Sequence, residues 1–363
     1  MKKITLICSR SIPVTIFRKG LVKELQNNNY DVSIIALDND REEEIKSWGV
    51  DFYYTYQNNR STNPLDKITL FKEFKKILNK IKPDIVFTFQ VTPNTIGALA
   101  ARSSGIKNIY SMVEGAGDVF VYNNLKWKII RFFTCLLLKV SFMNVNKVFF
   151  INNDDKNEFV QRRIVKDNKT VVIPGIGVDI NYFTYKPIKN TNTFLMAARL
   201  MPAKGVIEYC KAAELVKKEY PNTTFNLIGE EFTLRYNDIK EYIDNGIIHY
   251  YGYQKDVRPF IEECYMHVLP SYREGFGLVI AEAGAMGRAS IASNTQGCKD
   301  AVIENETGLL FKNKDYNDLA DKIIYSLNNV DTIKEMSNKA YELSKEKYNK
   351  DVINKIILKE IHE

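Results

Sequence analysis

The sequence is poor in the residues from which many enzymes build their chemistry. Its three histidines, His249, His267 and His362, stand at no metal-ligand spacing from one another, and none neighbours a serine or cysteine nucleophile. His267, inside the apolar run Met266-His267-Val268-Leu269, reads as a packed strand residue. The five cysteines, Cys8, Cys135, Cys210, Cys264 and Cys298, are odd in number, widely spaced and free of Cys-x-x-Cys. That pattern argues against a disulfide framework or a zinc site and fits reduced thiols in a cytosolic protein. After the first apolar run the turn is Ser9-Arg10-Ser11-Ile12-Pro13, with no glycine where Gly-x-Gly-x-x-Gly would stand, which disfavours an NAD enzyme. No Gly-x-x-x-x-Gly-Lys-Ser/Thr loop occurs either, so ATPase and kinase readings fall. Met1-Lys2-Lys3 leads into apolar residues that Ser9 and Arg10 cut short before a signal-peptide core can form, so an unexported protein is expected.

What is present is ordinary in bulk. With 363 residues, 45% hydrophobic and 26% charged, the chain has the composition of a globular protein and the length of two domains. The net charge of +7 suits an anionic partner such as a phosphate ligand or an acidic membrane surface and is too small to argue for nucleic acid.

Short apolar runs alternate with helical patterns throughout, which predicts parallel sheets with helical crossovers, an α/β architecture twice over. In the first half the strand candidates are Ile4 to Cys8, Val32 to Leu37, Ile85 to Phe89, Ile109 to Val113 and Val148 to Ile151, with helices over Ile16 to Leu25 and Ile68 to Ile81. A polar stretch from Tyr185 to Asn192 reads as a linker. A second series follows at Phe194 to Ala197, Thr224 to Ile228, Ile247 to Tyr250, His267 to Leu269 and Ser290 to Ala292, with helices from Tyr316 onward. The pair Asp38-Asn39-Asp40 offers two hard carboxylates, yet it follows the second strand, where acids and turn residues are common, so no metal site is expected.

The segment Leu269-Pro270-Ser271-Tyr272-Arg273-Glu274-Gly275-Phe276-Gly277-Leu278-Val279-Ile280-Ala281-Glu282-Ala283 reads as strand end, glycine turn and helix start. Such a junction offers free backbone N–H groups and a positive dipole end to a phosphate. Glu274 in the turn and Glu282 in the helix are spaced to grip two ends of an elongated ligand. Upstream, Arg199 stands at a strand end and Lys204-Gly205 at a helix start, so both cations can face the same crevice at the carboxyl ends of the strands.

Arg199, Lys204-Gly205, and Glu274 separated by seven residues from Glu282 together resemble the donor-site signature of family 4 glycosyltransferases of the GT-B fold. The likeness extends to Phe17-Arg18 with Leu21, Val172 to Asp179, Leu227-Ile228-Gly229-Glu230, Gly252-Tyr253 and Asn305 to Phe311, nearly the whole chain. It implies two Rossmann-like doubly wound domains facing a cleft. An acceptor-binding domain would span 1–185, a nucleotide-sugar domain 186–345, and a last helix, 346–363, would cross back. By the same resemblance Arg199 and Lys204 hold the diphosphate, Glu282 the ribose hydroxyls, and Glu274 with the amides of Phe276, Gly277 and Leu278 the donor sugar and phosphate. Gly275 belongs to that turn, and Tyr253 and Val257 are candidates for lining the base. The resemblance further implies that the donor is a UDP-sugar, that transfer retains configuration, and that the leaving diphosphate is stabilised without metal or other cofactor.

Ser111-Met112-Val113-Glu114-Gly115-Ala116-Gly117-Asp118 resembles the Val-Glu-Gly-x-Gly stretch of bacterial transferases acting on polyprenyl-diphosphate-linked saccharides in N-glycan, capsule and O-antigen assembly. The likeness assigns Glu114 an acceptor-side or catalytic role, with Arg18 and Gly117 beside the acceptor. The stretch Asn124 to Met143 is the most apolar of the chain, but Arg131 and Lys139 interrupt it before a membrane span is reached. On a helical wheel Lys128, Arg131, Cys135 and Lys139 form one stripe, and Ile129, Phe133, Leu136, Val140 and Met143 the opposite one. With Lys126 and Trp127 this reads as a basic amphipathic helix on an anionic membrane, or as a core helix with a wet basic edge. The expectation is a transferase peripheral to the cytoplasmic face of the membrane. The alternatives are a soluble transferase with a small acceptor, a UDP-sugar 2-epimerase and a non-catalytic nucleotide-sugar binding module.

Overall fold

The computed structural model describes residues 1–55, 63–115 and 125–362, without the side chains of Pro64 and Lys126. The chain divides into two compact units, Met1–Ile176 with Asn354–Glu363, and Gly177–Ile353. Each is a parallel sheet with helical crossovers, the α/β architecture expected twice.

The N-terminal sheet comprises β1 (Lys2–Ile7), β2 (Tyr30–Ala36), β3 (Asp51–Tyr54), β4 (Ile85–Phe89), β5 (Asn108–Val113), β6 (Lys147–Phe150) and β7 (Thr170–Val172), in the order β3-β2-β1-β4-β5-β6-β7. The C-terminal sheet comprises β8 (Thr193–Ala197), β9 (Thr224–Ile228), β10 (His249–Tyr250), β11 (Met266–Leu269), β12 (Ser290–Ser293) and β13 (Gly308–Phe311), in the order β10-β9-β8-β11-β12-β13. All pairings are parallel. Central strands covered on both faces are apolar at nearly every position, as in the Ile-Val-Phe-Thr-Phe of β4 and the Met-His-Val-Leu of β11, every residue of which is buried. In both sheets the strand order reverses beside the first strand, between β1 and β4 and between β8 and β11. Such a switch point opens a crevice at the carboxyl ends of the strands.

Two local expectations are corrected. The helix expected over Ile16 to Leu25 is two helices, Ser11–Phe17 and Lys19–Asn27, separated at Arg18, whose side chain turns into the core. The polar stretch from Tyr185 to Asn192 is irregular up to β8 but is not a loose linker. The buried Arg288 guanidinium donates to the carbonyls of Lys186 (2.6 Å), Glu262 (2.6 Å) and Cys264 (2.7 Å), tying this stretch to the C-terminal unit. The last helix, Lys350–His362, packs its end into the N-terminal unit. There the Tyr110 hydroxyl donates to the Ile361 carbonyl (3.3 Å) and Lys147 pairs with Glu360 (3.2 Å).

Candidate active site

The C-terminal switch point lies among the residues expected on the donor side. Beyond β8 the chain makes a 3-10 turn over Pro202–Lys204 and enters the helix Val206–Glu219 through Gly205. Gly205 is required there: its φ is +73°, and a Cβ would lie 2.1 Å from the Pro270 carbonyl oxygen. This close approach brings the turn against the segment leaving β11, and the Tyr272 amide donates to the Ala203 carbonyl (2.9 Å). The result is an ion pair between Lys204 Nζ and Glu274 Oε1 at 2.5 Å. Glu274 is further held by its amide, which donates to the Gln296 carbonyl (3.0 Å).

Not every expected partner is in this contact. Arg199 is exposed and lies over the Phe232 ring, 4.9 Å from its centroid. Of the amides expected to face phosphate, that of Gly277 donates to the Gly297 carbonyl (2.9 Å) and that of Leu278 to the Phe276 carbonyl (2.7 Å). Both are engaged within the protein, because the turn folds back on Gly297 before the helix Leu278–Ala285 begins. The Phe276 ring is buried edge-on against Tyr348 (5.2 Å), so it shapes the turn. Gly275 lies between Glu274 and this ring. Glu282 sits in the second turn of the helix, and burial pushes its carboxyl up to about 8, leaving it largely protonated at neutral pH. Tyr253 is 70% exposed and follows Gly252, whose carbonyl accepts from the Gly229 amide (2.8 Å) at the end of β9. Val257 precedes the helix Arg258–Glu263.

Sequence reasoning missed the brace beneath this site. The Tyr272 hydroxyl donates to Glu208 Oε1 (2.7 Å), linking the segment after β11 to the Val206–Glu219 helix, and the Lys314 ammonium lies over the Tyr272 ring at 4.5 Å. The spacing of Glu208 and Tyr272 in sequence carries no sign of this contact.

The N-terminal switch point holds a second carboxylate–cation pair. Arg18 is buried, ion-paired with Glu114 just beyond β5, and stacked over the Phe89 ring at 4.2 Å. Burial pulls the Arg18 guanidinium down to about 10 and pushes the neighbouring Cys8 thiol up to about 12. Arg18, expected at the acceptor, is thus a buried counter-ion of Glu114. Gln90, unnoticed in the sequence, completes the cluster. It adopts φ +67° at the end of β4, donates through Nε2 to Glu114 Oε2 (2.5 Å), and accepts from the Ser9 amide (3.0 Å). Gly117 lies outside the described residues.

Asp38 and Asp40 are engaged by Arg10, at 3.1 and 3.2 Å, and Asp38 also accepts from Ser11. Among the described residues no group of three or more His, Cys, Asp or Glu could hold a metal ion. His267 is a buried residue of β11, and burial draws its imidazole down to about 4.

The helix Leu125–Met143 turns Leu138 and Phe142 into the core and leaves Trp127 and Arg131 half-buried. Its outer face carries Ile129, Phe132, Phe133, Leu136, Val140 and Met143, all at least 44% exposed, with Lys128 and Lys139 exposed beside them. The side chain of Lys126 lies outside the described residues. No described helix is long and apolar enough to cross a membrane.

Residues 3–152 match the family model Glycosyl transferase 4-like, and residues 180–343 match Glycosyl transferases group 1. The chain is 29% identical over 323 residues to an N,N'-diacetylbacillosaminyl-diphospho-undecaprenol alpha-1,3-N-acetylgalactosaminyltransferase of Campylobacter jejuni, covering 85% of this chain and 84% of that one. It is 26% identical over 283 residues to a UDP-Gal:alpha-D-GlcNAc-diphosphoundecaprenol alpha-1,3-galactosyltransferase of Escherichia coli, covering 71% of each. Anabaena HepE in complex with UDP shares the fold, with a TM-score of 0.80 over 99% of both chains at 17% identity.

Proposed function

This chain is a glycosyltransferase with the GT-B fold, and we propose that it moves a hexose or N-acetylhexosamine from a UDP-sugar to a saccharide carried on a polyprenyl diphosphate. The observation that carries this reading is the Lys204–Glu274 pair at the switch point of the C-terminal sheet. A nucleotide diphosphate draws the Lys204 ammonium to its oxygens, with Arg199 as second cation, and frees Glu274 to accept from the sugar hydroxyls. As the glycosidic bond breaks, negative charge grows on the leaving diphosphate, and these fixed cations with the start of the Leu278–Ala285 helix stabilise it. Glu282 accepts from the ribose hydroxyls, whose hydrogen bonds favour its ionised form. Retention follows when the acceptor hydroxyl enters on the face the diphosphate leaves and gives its proton to that diphosphate.

On the acceptor side, Glu114 is paired with Arg18 and oriented by Gln90, which suits it to accept from a sugar hydroxyl. The two polyprenyl-linked substrates in the names of the C. jejuni and E. coli relatives support a lipid-borne acceptor. The exposed apolar face of the Leu125–Met143 helix supports contact with the membrane that holds it, at the cytoplasmic face. That face also weighs against a soluble transferase with a small acceptor.

The test is incubation with a panel of labelled UDP-hexoses and UDP-N-acetylhexosamines, with and without polyprenyl-diphosphate-linked saccharides. Label entering an organic-extractable product only when lipid is present is the expected result. Conversion of a UDP-sugar without acceptor, or transfer to water-soluble acceptors alone, would overturn the reading.

A further inference from the structure

We propose that a pocket at the C-terminal end of the Leu125–Met143 helix binds the headgroup of an anionic bilayer phospholipid. The inference rests on the reading that this helix lies on the membrane. The pocket, about 610 Å³, is floored by Phe142, Val160 and Ile164 and walled by Lys139, Arg163 and Lys166. The three cations come from two places: Lys139 from the helix itself, and Arg163 and Lys166 from the segment between the helix Asn153–Gln161 and β7. All three are exposed, and their side chains make no ion pair or hydrogen bond with a described residue.

The one acid in the wall, Asp167, is turned to Lys156 at 2.8 Å. Lys169, also in the wall, is spent on carbonyls at the exit of the helix, those of Met143 (3.0 Å) and Val145 (2.7 Å). Three uncommitted cations therefore surround an apolar floor. Beside it begins the exposed apolar face, with Val140 44% and Met143 70% exposed. A phosphodiester among the cations and an acyl chain running onto Met143 and Val140 would satisfy both halves of the surface at once.

The position separates this lipid from the acceptor. The 19-residue helix spans about 28 Å. Its exit, where the Asn146 amide donates to the Ile109 carbonyl (2.7 Å), lies at the amino end of β5, whereas Glu114 follows the carboxyl end of that strand. The occupant is thus a lipid of the surrounding bilayer, gripped at the end of the helix away from Glu114.

The experiment is flotation of the full chain with phosphatidylcholine vesicles, with and without phosphatidylglycerol. Wild-type protein should bind more tightly when phosphatidylglycerol is present. Arg163→Gln with Lys166→Gln should lose about 25-fold on those vesicles, at about fivefold per surface cation, and stay unchanged on phosphatidylcholine. Lys23→Gln with Lys46→Gln removes the same charge near the opposite edge of the N-terminal sheet and should cost under about threefold. Phe132→Ser with Phe133→Ser should weaken binding to both vesicle types. If the Arg163/Lys166 variant binds like wild type, or the Lys23/Lys46 control falls as far, the pocket is refuted while the helix reading survives. If polyprenyl phosphate in phosphatidylcholine vesicles, but not phosphatidylglycerol, enhances wild-type binding, the occupant is the acceptor lipid and the proposal falls. Should wild type bind no vesicle, both readings fall together.

Discussion

Each of the two sheets sets a carboxylate–cation pair beside its switch point, and the pairs are built in opposite ways. Lys204 and Glu274 come from two turns, and their side chains keep 22% and 16% of their surface exposed. Arg18 keeps 4% and stacks on Phe89, while Glu114, which it shares with Gln90, keeps 15%, so the contrast lies in the cations. An accessible cation can be drawn off by a ligand that offers a better anion, whereas a buried guanidinium resists exchange because it would be left desolvated and alone. The C-terminal pair is therefore suited to hand its cation to a diphosphate, and the N-terminal pair to present one carboxylate in a fixed position.

The sharpest way to break this contrast is to remove one member of the buried pair. Arg18→Ala should cost about 3–5 kcal/mol in denaturant unfolding. Arg18→Met with Glu114→Leu should recover most of that stability without recovering transfer. A cost under about 1 kcal/mol for Arg18→Ala would make the two pairs alike. Next in size, Lys204→Ala should slow transfer through a loss of about 1.5–3 kcal/mol of diphosphate stabilisation, while unfolding free energy shifts by less than about 1 kcal/mol. Steady-state kinetics beside a urea titration separates the two effects.

A smaller effect comes from Glu282. Its carboxyl is raised to about 8 from an ordinary 4.5, so the native chain binds more protons than the unfolded one between these values, and stability falls as pH rises through that window. If the ionised form accepts from ribose, UDP affinity rises with pH up to about 8, by at most about tenfold per unit, and levels off above it. Glu282→Gln should flatten both profiles in calorimetric titrations. The smallest expected effect is that of EDTA, which should leave transfer rates unchanged. A strict Mg²⁺ requirement would return Asp38 and Asp40 to consideration.

Most strands were legible because their determinants are local. Buried parallel strands are apolar at almost every residue, and β4 and β9 have the limits read from sequence. The outer strands β3, β7 and β13 escaped because they are short, and β3 and β7 are half-exposed, so their runs blend into neighbouring loops. The burial of Arg18 was illegible, since its partner lies 96 residues away and a cation beside Leu21 reads as a surface charge. Gln90 was equally hidden, because nothing in its type announces a left-handed backbone. The helix Leu125–Met143 shows the middle case. Its wheel displayed an apolar stripe, but only the fold shows that Leu138 and Phe142 fill the core while Phe132 and Phe133 stay outside.

The most direct test of the division between an exchangeable and a fixed pair is UDP binding by calorimetry, beside transfer rate, in Lys204→Ala and Glu114→Gln. The account predicts that Lys204→Ala weakens UDP binding at least about tenfold, whereas Glu114→Gln keeps the wild-type Kd and loses transfer at least about a hundredfold. Equal weakening of UDP binding in both variants, or wild-type transfer by Glu114→Gln, would contradict it.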